Sequence, residues 1–579
     1  MINFKIESHL QKAVLSAYPD ADPTRILIRP CPDPKFGDYQ CNSLMNLAKG
    51  MKKNPRDVAA EVLKHLDLGG LGDSPEVAGP GFLNFRISRN ALSHVMNEAF
   101  KGEHLFYRKP EAVKSFVVDF SSPNVAKTMH VGHIRSTILG ESISRTLRLL
   151  GHSVVSDNHI GDWGTQFGKL LYGWKSILDR EALERKPVEE MERVYKAVNQ
   201  QCEQDETVLE ACRNELVRLQ SGDTENRKIW ESMIQLSRGE FDRIYQRMDV
   251  GFDVTLGESF YNDRLISLVN ELEDAGIAEE SKGARMVFFN DHPELKNNPA
   301  MVRKKDGAAN YMTTDLATLE YREKTWQPDE VIYVTDSRQQ LHFKQLFAAY
   351  RRWKPDTKVK LTHAWFGSIL GEDGKPFKTR TGKTIRLSLL LDESIERARE
   401  IIEQKNSELP EESKEDISRE IGLGAVKYAD LLQNRQTDYT FSWEKMLALN
   451  GNTAPYLQYA YTRIRSIFRR IDPEDWKTIV AQGKSEDLII LEREEEFQLA
   501  KQLIHFGLVL EKVIEECRPN HLCSYLYELA GCFARFYEHC PVLKAEPAEK
   551  RSRLAICDLT AKVLCQGLNL LGINTVEQM

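Results

Sequence analysis

The chain has 579 residues, 41% of them hydrophobic and 28% charged, with a formal net charge of −7 and an isoelectric point near 6.1. At roughly 100–200 residues per domain, three or four globular domains are expected. A net acidic chain is excluded as a generic nucleic-acid glue: any polyanion it binds must be met by local basic surface. No run of about 18 apolar residues marks a membrane span. The start, MINFKIESHLQKAV, lacks the basic-then-apolar layout of a secretory signal. Ten cysteines are scattered without a CxxC, which reads as reduced thiols in the cytosol and gives no thiolate zinc site.

Residues 1–105 read as a small α/β unit. KIESHLQKAVLSAY places Ile6, Leu10, Val14 and Leu15 at helical spacing. ILIRP is a short strand. PRDVAAEVLKHL is a helix opened by Pro55, and EVAGPGFLNFRIS is two strands broken by Gly79-Pro80-Gly81. GEHLFYRKPEAVK reads as a linker. The strand in SFVVDFSSPN, a helical pattern from Val131 to Leu150 and the strand HSVVSD form a βαβ unit, which implies a parallel sheet. Residues 175–283 are highly charged and helical: an insertion into the sheet domain, or a separate helical domain. ARMVFF and MVRKKDGAANYMTT read as strands, the latter paired around Asp306-Gly307. DEVIYVTD is a strand, QQLHFKQLFAAYRRW a helix and VKLTHAWF a strand. The glycine-rich, basic loop GEDGKPFKTRTGKT follows, and from Leu389 the chain reads as almost all helical.

The stretch NVAKTMHVGHIRSTILG sets His130 and His133 around Gly132, with Lys127 three residues before the first. Zinc usually needs a third protein ligand nearby, and no cysteine or histidine stands in the twenty residues upstream. No GxSxG elbow supports a hydrolase triad. A phosphate chain fits better. The pair lies where a loop enters a helix, and helix N-termini receive anions. Gly132 would let a flat base lie against its backbone. Imidazoles donate to phosphate oxygens, and Lys127 adds a full charge.

HVGH resembles the HIGH signature of class I aminoacyl-tRNA synthetases. SSPNVAKTMHVGHIRSTILG, NHIGDWGTQFG, NYMTTDLA, DSRQQLH, GKPFKTRTG, GAVKYADL and NTAPYLQYAYTR, in that order, resemble the arginyl-tRNA synthetase family over most of the chain. The resemblance implies an α/β fold. A Rossmann-like parallel-sheet catalytic domain would occupy residues 106–440, split by the helical insertion at about 175–283. A small N-terminal α/β domain at 1–105 would touch the tRNA elbow, and an all-α anticodon-binding domain would occupy 441–579. It implies ligation of L-arginine to tRNA(Arg) with Mg2+-ATP, in a monomer with no protein-bound zinc, and activation that depends on bound tRNA.

A guanidinium with five donors needs acceptors. By family match, Asp119, Ser122, Asn124, His133, Tyr311, Asp315 and Gln339 line the arginine pocket. Such a pocket rejects analogues through unmade hydrogen bonds, so no editing domain is required. The ATP site would take His130, Gly132, His133, His342 and Lys378. The second class I motif, KMSKS, is not present; Lys378 and Arg380 are its nearest equivalents, on a loop freed by Gly374 and Gly382, and Lys127 would compensate. Catalysis is thus expected from His130, His133, Lys127, Lys378 and Arg380. Phe82 and Asn84 match a D-loop contact. Tyr459 and Arg463, with Arg465 and Arg469, would offer rings and guanidinium groups to anticodon bases; a tyrosine core face with solvated arginines is the plainer reading. A small-molecule adenylating nucleotidyltransferase and a catalytically silent tRNA binder are the rival functions.

Overall fold

The first helix, Ile2–Ala17, buries Ile2, Ile6, Leu10 and Val14 along one stripe, whereas Leu15, expected on that stripe, is 37% exposed. A computed structural model of the protein describes residues 2–33, 35–371, 373–375, 377 and 385–579. The N-terminal sheet is antiparallel, in the order Arg29–Pro30, Tyr39–Cys41, Phe82–Phe85, Glu76–Ala78. Its turn takes Gly79 and Gly81 at φ of 52° and 124°, which only glycine adopts freely. Asn54 caps the Pro55–Lys64 helix through its side chain.

The expected linker is no tether. Phe106 is wholly buried, its carbonyl accepts the Gly507 N–H at 3.0 Å, and Tyr107 sits edge-on to Phe506. A segment rich in charge can still dock when two aromatics supply the apolar area, about 1.5–3 kcal/mol for a fully buried ring.

The catalytic sheet has four parallel strands: β1, Ser115–Asp119; β2, Ser153–Asp157; β3, Glu330–Tyr333; and β4, Lys360–His363. Their order is β4-β3-β1-β2. Strand order therefore reverses between β1 and β3, which opens a crevice at their carboxyl ends. The Val131–Leu149 helix crosses the sheet closely because a Cβ on Gly140 would stand 2.1 Å from the Phe120 ring. It is pinned from behind by Arg135, which pairs with buried Asp430 at 3.2 Å and donates to the Gly367 carbonyl at 2.7 Å.

Between β2 and β3 run the helices Arg180–Arg185, Pro187–Gln204, Glu206–Gln220 and Thr224–Arg247. The chain then returns to the sheet through a parallel bridge between Val254 and Asp157. A three-stranded antiparallel sheet, Ala278–Ser281, Ala284–Val287 and Ala300–Arg303, follows. Here one expectation is corrected. Beyond Arg303 a single bridge to Ala309 remains, and NYMTT opens the Tyr311–Trp326 helix rather than a strand. Met312, Leu316 and Leu319 are buried at helical spacing, with Ala317 and Arg322 among the other buried residues, a helical period hidden by a β-like composition. After residue 453 six helices, from Ala454–Phe468 to Pro547–Leu570, form the C-terminal region. Among the described residues no helix is long and apolar enough to cross a membrane.

Candidate active site

The carboxyl ends of the strands form a row in which Asp157, Asp119, Tyr333 and His363 are register partners. Beneath it lies wholly buried Arg322. Its Nη2 donates to Asp119 Oδ2 at 2.6 Å and to Asp157 Oδ2 at 2.7 Å. Removing one partner of such a buried group typically costs about 3–5 kcal/mol. Asp119 Oδ1 accepts the Ser122 hydroxyl at 3.1 Å. Asp119 and Ser122, expected to face arginine directly, are thus both engaged in holding the strand end and the turn after it. That turn is tight: Ser121, Ser122 and Ala126 have φ of 73°, 48° and 61°. Left-handed backbone costs about 1–2 kcal/mol per non-glycine residue. The Ser136 hydroxyl accepts the Ser121 N–H at 2.8 Å and donates to the Val334 carbonyl at 2.6 Å, which ties the turn to the far side of the crevice.

The turn delivers the chain to the helix mouth. His130 is the N-cap, and its Nδ1 accepts the Gly132 N–H at 3.0 Å. His133, one turn on, accepts the His130 N–H on its own Nδ1 at 3.1 Å. The two imidazoles form a reciprocal capping box, a task usually done by hydroxyl and carboxylate. Because each Nδ1 is an acceptor, each neutral ring carries its proton on Nε2. The rings lie 4.0 Å apart, centroid to centroid. Burial, then the Arg338 charge, lowers the pKa of His130 against an opposing pull from Glu192. Burial and the neighbouring His130 push His133 down to about 3. Both are therefore neutral donors near pH 7, and full positive charge must come from elsewhere.

Gly132 serves this geometry in an unexpected way. A Cβ there would meet the His130 ring at 2.9 Å, so the glycine makes room for the imidazole. Lys127 is exposed on the turn before the mouth, with Nζ 5.9 Å from the Tyr195 ring centroid. Lys378 and Arg380 lie outside the described residues. The chain just after them is informative, since Leu387 donates to the Met129 carbonyl at 2.9 Å and Val131 to the Ile385 carbonyl at 3.0 Å.

Across the crevice the chemistry reverses sign. Tyr311 opens its helix 61% exposed, and Asp315 stands one turn later on the same face. His342, expected at ATP, places Nε2 2.5 Å from Asp315 Oδ2. Burial would depress His342, but that carboxylate outweighs it and raises its pKa. Glu258 was not anticipated from sequence. Burial, then the charges of Asp315 and Asp162, push its carboxyl up to about 8. Burial and the Glu258 charge likewise raise the Tyr311 phenol. Asp162 anchors the next residue in the chain, accepting the Ser259 N–H at 2.8 Å and hydroxyl at 2.7 Å. Asn124 and Gln339 are exposed. Carboxylates crowded enough to retain a proton form a site waiting for a cation. In the sequence NYMTTDLA carries Tyr311 and Asp315 of this wall and NHIGDWGTQFG carries Asp162, but neither stretch contains Glu258.

The expected RNA contacts divide. Phe82 is half-buried, but Asn84 is 5% exposed and accepts from Gln40 Nε2 at 2.8 Å, so its amide serves the sheet. Tyr459 and Arg463 are exposed, and the Arg463 guanidinium lies 4.6 Å from the Tyr537 ring centroid. Arg465 pairs with Glu577 at 3.0 Å and Arg469 donates to the Glu577 carbonyl at 2.6 Å, so these two anchor the C-terminal segment.

The parallel sheet, its switch-point crevice and paired imidazoles at the adjoining helix mouth have the form of the class I aminoacyl-tRNA synthetase catalytic fold. The family model for the class I (R) tRNA synthetase catalytic domain matches residues 95–443. Those for the arginyl-tRNA synthetase N-terminal domain and the DALR anticodon-binding domain match 4–87 and 457–579. The arginine–tRNA ligase of Salmonella typhi is 44% identical over 552 residues, 94% of either chain. That of Escherichia fergusonii is 43% identical over 581 residues, 99% of either chain. The crystal structure of Plasmodium falciparum arginyl-tRNA synthetase superposes with a TM-score of 0.84 at 28% identity, covering 100% of this chain and 99% of that one. The chain belongs to the arginyl-tRNA synthetase family, and its activity is arginine–tRNA ligation.

Proposed function

We propose that the crevice between β1 and β3 activates L-arginine with Mg2+-ATP and passes it to tRNA(Arg). The guanidinium lies against Glu258, Asp315 and Tyr311, and the phosphates lie on the Nε2–H groups of His130 and His133. The carrying observation is the pairing, at the carboxyl ends of one sheet, of two neutral donors at a helix mouth with a carboxylate cluster in excess of its cations. Asn124 and Gln339, both exposed, orient the amino and carboxylate ends of the amino acid. An arginine carboxylate oxygen attacks the α-phosphorus, the bond to the bridging oxygen breaks, and pyrophosphate leaves. A ribose hydroxyl of the tRNA's terminal adenosine then attacks the acyl carbon and releases AMP. Lys127 carries the pyrophosphate charge, with Lys378 and Arg380 as its partners from the basic loop. Positioning and charge neutralisation supply most of the rate.

Phe82 in the N-terminal sheet, and Tyr459 with Arg463 beside Tyr537, take the RNA. The chain is proposed to act as a monomer. The ten thiols are free, which fits a reducing cytosol. Pyrophosphate exchange, measured with single amino acids with and without tRNA, tests the reading. Exchange is expected only with arginine and tRNA(Arg) together. No exchange under any condition favours a silent RNA binder, exchange with another acid overturns the pocket, and exchange with arginine alone overturns the tRNA dependence.

A further inference from the structure

One helix of the insertion, Pro187–Gln204, lays a single face against the helix mouth. Glu189, Glu192 and Tyr195 recur every third residue, so they are neighbours on that face. Glu189 Oε1 lies 2.5 Å from Arg386 Nη1. Arg386 is itself the bridge partner of His130. Glu192 Oε2 accepts the Thr128 hydroxyl at 2.7 Å, and its other oxygen is held by Lys196. The Tyr195 ring faces Lys127. Glu189 thus grips the segment that returns from the basic loop, and Glu192 grips the turn that bears Lys127.

We propose that Glu189 and Glu192 are positioning residues for amino-acid activation: from outside the sheet they set the Lys127 turn and the Ile385-Arg386 segment against the paired imidazoles. The proposal rests on the reading of the helix mouth as the ATP site. A carboxylate near a triphosphate is unfavourable by Coulomb's law, so an acid retained at such a site needs a partner that absorbs its charge. Arg386 does this for Glu189 and Lys196 for Glu192. Ordinary surface pairs contribute little to stability and would leave the kinetics unmoved.

The test is pyrophosphate exchange by the full chain with tRNA(Arg), varying ATP and arginine separately, for Glu189→Gln, Glu192→Ala and Glu192→Gln. The kcat/KM for ATP is expected to fall about tenfold in Glu189→Gln and Glu192→Ala, while the KM for arginine stays within about twofold. Glu192→Gln, which keeps an acceptor for Thr128, is expected to recover most of the loss. Arg218→Gln, which removes an exposed pair with Asp223 elsewhere on the insertion, should match wild type. Unchanged ATP kinetics, or equal losses for ATP and arginine, would overturn the proposal. Should Glu192→Ala misfold, the Glu189→Gln and Arg386→Gln single and double variants decide it: non-additive losses support positioning, and additive ones contradict it. A wild-type chain without arginine-dependent exchange would bring down the ATP-site reading itself; an active wild type with unaltered variants overturns only the positioning role.

Discussion

The two walls of the crevice are built on opposite principles. The helix mouth holds neutral imidazoles whose pKa values burial drives down, and whose direction is fixed by backbone N–H groups. The facing wall holds carboxyls crowded until one of them, Glu258, rises to about 8. In the proposed reading, one wall recognises by geometry and the other by charge. Substitutions on the two walls should therefore fail in different kinetic parameters.

The largest effect is expected from Asp315→Asn. It removes the charge proposed to face the guanidinium and leaves His342 without its carboxylate. The kcat/KM for arginine should drop about 10³-fold while the KM for ATP changes little, as a pocket built on polar groups loses much when one goes unpaired. Steady-state exchange measures both. On the other wall, His133→Ala should lower kcat about 10²-fold at saturating arginine, the cost of one lost donor to developing charge.

A third contrast is in pH. The guanidinium favours ionised Glu258, so arginine binding releases its proton. Arginine affinity should then rise with pH, by at most about tenfold per unit, and flatten above the Glu258 value of about 8. Calorimetric titration of Glu258→Gln should show the slope abolished. ATP affinity has no matching slope there, since both histidines are already neutral. The smallest effect is outside the crevice: Arg463→Ala should reduce the log–log salt slope of tRNA binding by about 0.7–0.9 and leave exchange kinetics near wild type at saturating tRNA.

The first wall was legible because it is local. Strand, turn, His130, Gly132 and His133 fall within one run of sequence, and helix-mouth chemistry follows from that order. Gly132 also makes room for the His130 ring, a fact of side-chain packing that spacing does not carry. The second wall was half legible. Tyr311 and Asp315 are neighbours in sequence, but Glu258 reaches them only because the chain returns from the insertion and Asp162 clamps it. His342 matched an ATP position, yet its contact is with a residue 27 positions earlier. In the fold, the sheet order depended on pairings more than 150 residues apart. The 102–114 segment read as a linker because its two docking aromatics sit among charges. Asn84 and Arg465 show a further limit: surface-type residues turn inward or to a carboxylate where a partner awaits them.

The most direct measurement is a crystal structure with L-arginine and a non-hydrolysable ATP analogue bound. The guanidinium should lie within hydrogen-bond reach of Glu258 and Asp315, with phosphate oxygens on the Nε2 atoms of His130 and His133. An arginine side chain placed away from that carboxylate pair, or a triphosphate held apart from both rings, would contradict the account.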